Sequence, residues 1–325
     1  MRVMKQIVPL LLALCLLAGC GQTTQEMDED DIYIDRLVLD QVDLAYETEA
    51  LSSGAAAKDT LLMPVASGTA TKKSGRAVVD YSNIKDGYVM VQFTGATSKR
   101  LKVQVKGPTT TYTYDLPVKS WTTFPLSDGN GNYKVTVYEN TSGDKYAEEL
   151  STSFKVTLND EFAPFLRPNQ YVDYSVATNT ISKAKELTKD LTNPLDKVKA
   201  VYEFVIKNVT YDRALAASVK SGYLPVLDTV LANKKGICFD YASLMTGMLR
   251  SQGVPCKLVV GYAGKAYHAW ISVWSEETGW IEGVVYFDGT TWQRMDPTFA
   301  SSGKSSDSIM KYIGDGKNYT TKYLY

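Results

Sequence analysis

A cysteine at the start of an apolar run is the residue in this sequence best placed to do chemistry. Cys238 follows the turn Lys234–Gly236, and the apolar residues after it recur at helical spacing until Gly253 and Pro255 end the run. The first turn of a helix carries unpaired N–H groups and the positive end of the helix dipole, which favour a thiolate. We therefore interpret Cys238 as a nucleophile whose pKa is lowered by its position. The expected buried face consists of Tyr241, Leu244, Met245, Met248 and Leu249.

Two residues further along the chain could complete a nucleophilic site. His268, the only histidine, falls on a predicted strand with Trp270 on the same face, and Asp296 ends a later predicted strand before Pro297. Taken alone, such a histidine is more often packed and an Asp-Pro pair is more often a turn. A thiol, however, needs a base to become a nucleophile at neutral pH, and an imidazole needs an acceptor that fixes its tautomer. With Cys238, these residues predict a Cys-His-Asp triad.

Four separated motifs, in order along the chain, resemble the transglutaminase-like superfamily. The resemblance covers about 198–298 and implies a papain-like core in which helices pack on an antiparallel sheet. It also implies that Cys238 is the nucleophile, His268 the base and Asp296 the orienting carboxylate, with Trp270 as a candidate wall of the cleft. The motifs are Gly236-x-Cys238-x-Asp240-Tyr241-Ala242, Gly253-Val254-Pro255 with Gly261-Tyr262, His268-Ala269-Trp270, and Asp296-Pro297-Thr298.

The resemblance implies acyl transfer on amide bonds of proteins or peptides, cell-wall peptides included, through a thioester on Cys238. Transamidation, deamidation and peptide hydrolysis share that thioester, so all three stay open. The backbone N–H of Cys238 and the hydroxyl of Tyr211 are candidate oxyanion donors, although Tyr211 fits a core position equally well. The calcium sites of the animal enzymes have no counterpart in the motifs, so we predict no cofactor and no metal. The alternative is a non-catalytic binding or scaffolding lipoprotein with a vestigial triad.

The N-terminus predicts export and anchoring. Arg2 and Lys5 precede the apolar stretch 7–17, and Leu17-Ala18-Gly19-Cys20 resembles the lipobox of bacterial lipoproteins. Residues 1–20 are thus predicted to be a lipoprotein signal peptide, with lipid on Cys20 anchoring the chain to a membrane of the cell envelope. An ordinary secretory signal is the alternative. Acidic and then small residues predict a flexible tether over 21–74.

Short alternating runs between turn residues predict an all-β, immunoglobulin-like sandwich over 75–160. The turn at 128–132 predicts a hairpin. A calcium loop there is disfavoured, because Tyr133 stands where such a loop needs glycine and strands flank it. The predicted strands are Gly87–Phe93, Leu101–Val105, Thr111–Leu116, Tyr133–Tyr138 and Ser153–Leu158.

Mixed helix and strand patterns predict the catalytic domain over 161–325, so the expected fold class is α+β: a papain-like transglutaminase core preceded by the β-sandwich. Cys256 is expected to be a small buried residue, with a regulatory disulfide to Cys238 as the alternative. Because the net charge is −1 and the sequence has no basic tract, we predict no nucleic-acid partner. The predicted helices are Ile181–Leu191, one capped by Asn193, and Pro225–Asn233; the predicted strands are Cys256–Tyr262, Tyr267–Trp274, Trp280–Phe287, Trp292–Met295 and Tyr319–Tyr325.

Overall fold

The computed structural model describes residues 24–26, 61–263, 266–276, 279–281, 285–287, 292–294 and 319–325. The predicted signal peptide, Cys20 and Asp296 lie outside these residues. Within the described part, no helix is both long enough and apolar enough to cross a membrane.

Nine strands in the N-terminal half build two antiparallel sheets. Alternation creates the buried faces: on the strand Thr111–Asp115, Tyr112 and Tyr114 are buried, whereas Thr111 is exposed. One sheet has the order β2-β3-β4-β7 and the other β1-β9-β8-β5-β6. The strands are β1 (Thr24–Glu26), β2 (Thr71–Lys73), β3 (Ala77–Asp80), β4 (Tyr88–Phe93), β5 (Leu101–Lys106), β6 (Thr111–Asp115), β7 (Thr122–Pro125), β8 (Gly131–Ser142) and β9 (Lys145–Val156).

Part of the predicted tether belongs to these sheets. β1 and β2 both lie within residues 21–74 and pair with β9 and β3. The segment before β2 is also fixed, because the Val65 N–H donates to the Tyr88 hydroxyl at 3.1 Å and the Gly68 N–H donates to Asp80 at 2.7 Å. The described sheets therefore begin earlier in the chain than the composition predicted.

The predicted hairpin at 128–132 is wrong. The turn joins β7 of one sheet to β8 of the other, so its flanking strands are not partners. Asp128 instead accepts hydrogen bonds from the backbone N–H groups of Thr109 and Thr110, at 2.6 and 2.9 Å. The residues do form a turn, but this turn connects strands of two different sheets.

Five helices follow in the part of the chain that the structure describes, and side-chain caps begin two of them. The Asn193 side chain accepts from the Leu195 N–H at 2.8 Å, with Pro194 at the first helical position, as predicted. Asp212 caps a short helix that the sequence did not predict, accepting from the Leu215 N–H at 2.9 Å. The helices are α1 (Thr178–Thr188), α2 (Pro194–Asn208), α3 (Arg213–Ser218), α4 (Leu227–Asn233) and α5 (Cys238–Ser251).

The C-terminal strands form a four-stranded antiparallel sheet of order β14-β13-β12-β17. Two further strand pairs are separate from this sheet, β10 with β11 in parallel and β15 with β16 in antiparallel. The single predicted strand 280–287 is thus two strands. The mixed α and β class is confirmed, whereas the immunoglobulin-like sandwich stays a prediction. The strands are β10 (Thr210–Tyr211), β11 (Lys235–Gly236), β12 (Cys256–Ala263), β13 (Ala266–Ser275), β14 (Gly279–Ile281), β15 (Val285–Phe287), β16 (Trp292–Arg294) and β17 (Tyr319–Leu324).

Helix α5 is the central element of this half. It packs on β12 and β13 on one side and on α1, α2 and α4 on the other. All five residues of its predicted apolar face are fully buried, and it stops where the sequence indicated, with Gly253 at φ 75°. The helix is buried on nearly every side, so its polar residues need partners within the protein.

A group of aromatic rings joins the two halves, and we call it the tyrosine cluster: Tyr112, Tyr114, Tyr171 and Tyr325. The ring centroids of Tyr114 and Tyr171 are 5.5 Å apart, and those of Tyr171 and Tyr325 are 4.5 Å apart. Tyr171 also packs edge-on against Phe239, at 5.6 Å. Because Phe239 adjoins Cys238, the cluster runs from β6 to the start of α5.

Candidate active site

A cleft of about 750 Å³ lies at the N-terminal end of α5. Cys238 and His268 both line it, as does Tyr211. The structure thus brings together three residues that the sequence analysis singled out from three separate segments. The other lining residues are Tyr171, Ala216, Val219, Lys220, Ser221, Gly222, Tyr223, Ile237, Phe239, Val260, Tyr267, Ala269 and Tyr325.

A buried carboxylate fixes the turn that presents Cys238. Asp240 accepts a hydrogen bond from the Ile237 N–H at 2.7 Å, which satisfies a donor at the start of α5. Its second oxygen accepts from the Tyr223 hydroxyl, also at 2.7 Å. A Cβ on Gly236 would lie 2.5 Å from the Asp240 Cβ, so only glycine leaves room for this fold-back. The Gly-x-Cys-x-Asp motif is therefore a capping device around the cysteine.

Asp240 has no exposed surface, and burial raises the pKa of its carboxyl, against the opposing effect of its two hydrogen bonds. The Tyr223 hydroxyl shares this environment: burial and the bond to Asp240 both raise its pKa. The pair links the segment that carries Tyr223 to the turn that carries Cys238.

His268 lies on β13 opposite Gly261 of β12 and is 6% exposed. Its ring stacks near Trp270, with centroids 6.3 Å apart and planes inclined by 24°. Tyr319 lies near both rings, with its centroid 6.4 Å from that of His268 and 5.2 Å from that of Trp270. A Cβ on Gly261 would come within 2.0 Å of the Thr320 carbonyl oxygen and 2.9 Å of the Trp270 ring. Because Gly261 has no side chain, β17 and the Trp270 indole can both lie close to the backbone of β12.

The structure places Trp270 beside His268 and not on the surface of the cleft. Trp270 is 4% exposed and is absent from the lining residues, although its neighbour Ala269 lines the cleft. Its ring packs beside the His268 imidazole and edge-on against Tyr319.

Tyr211 approaches the cysteine turn through the short parallel pair of β10 and β11, in which it lies opposite Gly236. The next residue, Asp212, caps α3 and pairs with Lys235, whose Nζ is 3.1 Å from the carboxylate. The Leu215 N–H and then Lys235 lower the pKa of Asp212. The Asp212 carboxylate therefore offsets the positive charge of Lys235, which precedes Cys238 by three residues.

Cys256 is fully buried, and its Sγ lies 3.6 Å from the Thr246 hydroxyl. Burial raises the pKa of its thiol to about 11. Both Cys238 and Cys256 are free thiols, so no disulfide joins them. Cys256 is the small buried residue that the sequence analysis expected.

Two predicted site residues, Asp296 and Cys20, lie outside the described residues. Within the described residues, no group of three or more His, Cys, Asp or Glu side chains could hold a metal ion. Sequence reasoning missed the segment 219–223, five consecutive residues that line the cleft. Its only sequence signal is Gly222 beside Tyr223, which indicates a turn but not that the turn folds over the cysteine.

Residues 181–297 match the family model of the transglutaminase-like superfamily. An uncharacterized protein of Bacillus subtilis, YebA, is 28% identical over 170 residues, covering 46% of this chain and 22% of that protein. A protein-glutamine gamma-glutamyltransferase of Pseudomonas aeruginosa is 31% identical over 68 residues, covering 17% of this chain and 10% of that protein. The chain therefore spans about a fifth of the length of the first relative and about a tenth of the second. A crystal structure of a candidate cysteine protease from Cytophaga hutchinsonii covers 73% of this chain and 76% of its own, with 16% identity and a TM-score of 0.37.

Proposed function

We propose that this chain, whose residues 181–297 form a transglutaminase-like domain, is a cysteine enzyme that transfers acyl groups from amide bonds of proteins or peptides. One observation carries the proposal. Cys238, at the first residue of α5, and His268, on β13, line the same cleft. A thiol at a helix N-terminus and an imidazole within one cleft are the nucleophile and base that amide chemistry needs.

The proposed reaction begins when His268 accepts the thiol proton and the Cys238 sulfur attacks the amide carbon. The C–N bond breaks, and ammonia or an amine leaves with the proton from the imidazolium. The acyl group then stays on Cys238 as a thioester. Water resolves it to a carboxylic acid, or a second amine resolves it to a new amide, and the thiol is restored. Asp296 is proposed to orient the imidazole.

The oxyanion of this reaction needs hydrogen-bond donors aimed at it. The Tyr211 hydroxyl is one candidate, since Tyr211 lines the cleft and its strand pairs with Gly236 in the cysteine turn. The Cys238 N–H is the other, because the first N–H groups of a helix have no partner within it. Removing one such donor typically costs about 3 kcal/mol of transition-state stabilisation.

The location and the substrate class belong to the same proposal. Signal cleavage before Cys20 and lipid on its sulfur would hold the enzyme outside the cytoplasm on a membrane of the cell envelope. Proteins and peptides there, including cell-wall peptides, are then the substrates within reach. The support for this part is the lipobox-like sequence at residues 17–20.

A glutamine-peptide library, incubated with the full-length chain with and without an amine probe, tests the proposal. Amine incorporation identifies transamidation, ammonia release without incorporation identifies deamidation, and chain cleavage identifies peptide hydrolysis. A Cys238→Ala variant is the matched control. If the wild-type chain gives no more product than this variant, and iodoacetamide at pH 6 does not label Cys238 faster than an ordinary thiol, the enzyme proposal fails and the non-catalytic lipoprotein remains.

A further inference from the structure

We infer that the cleft selects an acyl donor that carries a negative charge next to apolar residues, and that Lys220 at the cleft is the side chain that recognises this charge. The inference deepens the proposed function and rests on it for the chemical step. Binding selectivity, however, can be measured without turnover.

The described lining of the cleft is mostly apolar, and this favours apolar groups in the ligand. Water released from such a surface drives apolar side chains into it, and the few polar groups then determine orientation and specificity. Lys220 is the only lysine, arginine, aspartate or glutamate among the lining residues that the structure describes. The apolar lining residues include Val219, Ile237, Phe239, Val260 and Ala269.

Lys220 is exposed and forms no ion pair with any residue in the described part of the chain. Two carboxylates lie on elements next to this segment, those of Asp212 and Asp240, and both already have partners. Asp212 caps α3 and pairs with Lys235, and Asp240 is buried beneath Tyr223. Neither offsets the charge of Lys220, so this ammonium is available to a carboxylate of the ligand.

The segment that carries Lys220 is attached at both ends. At its start, the Val219 N–H donates to the Leu215 carbonyl at 2.6 Å, and at its end the Tyr223 hydroxyl bonds to Asp240. Between them, the Tyr223 N–H donates to the Lys220 carbonyl at 3.3 Å, and Gly222 takes φ 83°. The backbone of Lys220 is therefore held at the cleft before a ligand arrives, which lowers the entropy cost of using it.

The ligand class that fits is a peptide with a side-chain or backbone amide, an aliphatic or aromatic neighbour, and a carboxylate within a few residues. An exposed ion pair adds little affinity, but it discriminates between opposite charges. We expect the acidic peptide to bind about fivefold more tightly than its lysine counterpart at low salt, with the preference lost near 0.5 M salt.

The test uses the full-length Cys238→Ala chain, so that no peptide is consumed. Two fluorescent peptides share a glutamine flanked by leucines and differ at one position, glutamate or lysine, and anisotropy measures both affinities. Lys220→Met is expected to abolish the preference and Lys220→Glu to invert it. Lys207→Glu, on an exposed lysine of α2 outside the cleft, is the matched control and is expected to leave the preference unchanged.

The inference is overturned if Lys220→Met keeps the acidic preference, or if the unsubstituted cleft binds both peptides equally or neither of them. The proposed function is judged separately, by turnover in the wild-type chain. A charge preference without product would contradict the enzyme proposal and leave the role of Lys220 in recognition standing. Product without a charge preference would support the enzyme proposal and contradict the role of Lys220.

Discussion

The two described cysteines lie at opposite ends of α5, in opposite surroundings. Cys238 is half-buried at the first residue of the helix and lines the cleft, whereas Cys256 follows the helix on β12 and has no exposed surface. Burial raises the pKa of the Cys256 thiol to about 11, so it stays protonated at neutral pH. The two thiols therefore differ in their surroundings and not in residue type: one faces a cleft at the start of a helix, and the other is enclosed on a strand.

The two ends of the helix are also stabilised differently. At the N-terminal end, the Asp240 carboxylate accepts hydrogen bonds next to an open cleft. At the other end, the buried guanidinium of Arg250 donates to the carbonyl oxygens of Cys256 and Arg167, each at 2.8 Å, and to that of Tyr325 at 2.5 Å. One end adjoins an open cleft, whereas at the other end the Arg250 guanidinium fills the space and holds three segments together.

The largest expected difference between the two cysteines is in turnover. We expect Cys238→Ala to lower kcat by about 10⁴-fold or more, because no other group replaces the nucleophile. Cys256→Ala is the matched comparison and is expected to keep kcat within a few-fold. Ammonia release or amine incorporation with a glutamine peptide measures both. Equal losses in the two variants would remove the functional distinction between the cysteines.

The next difference is in chemical access. We expect iodoacetamide at pH 7.5 to modify Cys238 in the folded chain at least about 100-fold faster than Cys256, because a buried, protonated thiol is inert. Peptide mapping by mass spectrometry reads each site separately. Labelling in concentrated guanidinium, where both thiols are exposed, is the control. Comparable rates in the folded chain would show that Cys256 is not enclosed.

Arg250, in the last turn of α5, is expected to contribute to the stability of the fold. We expect Arg250→Lys to lower the free energy of unfolding by about 2–4 kcal/mol, because one ammonium cannot replace a guanidinium that serves three carbonyl groups. Arg213→Lys, on the exposed start of α3, is the control and is expected to stay within about 0.5 kcal/mol. Denaturant titration measures both. An unchanged midpoint for Arg250→Lys would mean that the three carbonyls find other partners.

The smallest expected effect is in the pH dependence of stability. Because the pKa of Cys256 is raised from 9.0 to about 11 in the folded chain, the unfolded chain loses this proton first as the pH rises. The thiol's contribution to stability is therefore present below pH 9 and lost between 9 and 11, by about 1 kcal/mol at pH 10. Cys256→Ala and Cys256→Val both lack the proton, so each is expected to lose less stability than the wild type between pH 8 and 10. Parallel curves would contradict the burial of the thiol.

Local signals explain what the sequence could predict. The span of α5 follows from the glycine turns at its ends and from its apolar spacing, and the start of α2 follows from Asn193 with Pro194. These features act within a few residues, so they can be read without knowing the fold. The presence of Cys238 and His268 in one cleft is consistent with the resemblance, while the role of Asp296 stays a prediction.

The features that the sequence did not reveal depend on contacts between distant segments. α3 has six residues and no periodic face, and its one signal is the capping residue Asp212. β7 is four residues long, too short for an alternating pattern to stand out. The turn at 128–132 carries the residues of a tight turn, but nothing in it states which sheet receives the next strand. The inward fold of the segment that carries Lys220 likewise depends on Tyr223 meeting a carboxylate seventeen positions away.

The tyrosine cluster has a consequence for the cooperativity of the whole chain. Tyr171 and Tyr325 line the cleft, and both rest on rings that β6 supplies. The half of the chain that holds the cleft is thus stabilised in part by a strand of the preceding half. A calorimetric scan is expected to show one melting event shared by both halves, and a destabilising change in β6 is expected to disturb a cleft whose described lining contains no residue of β6.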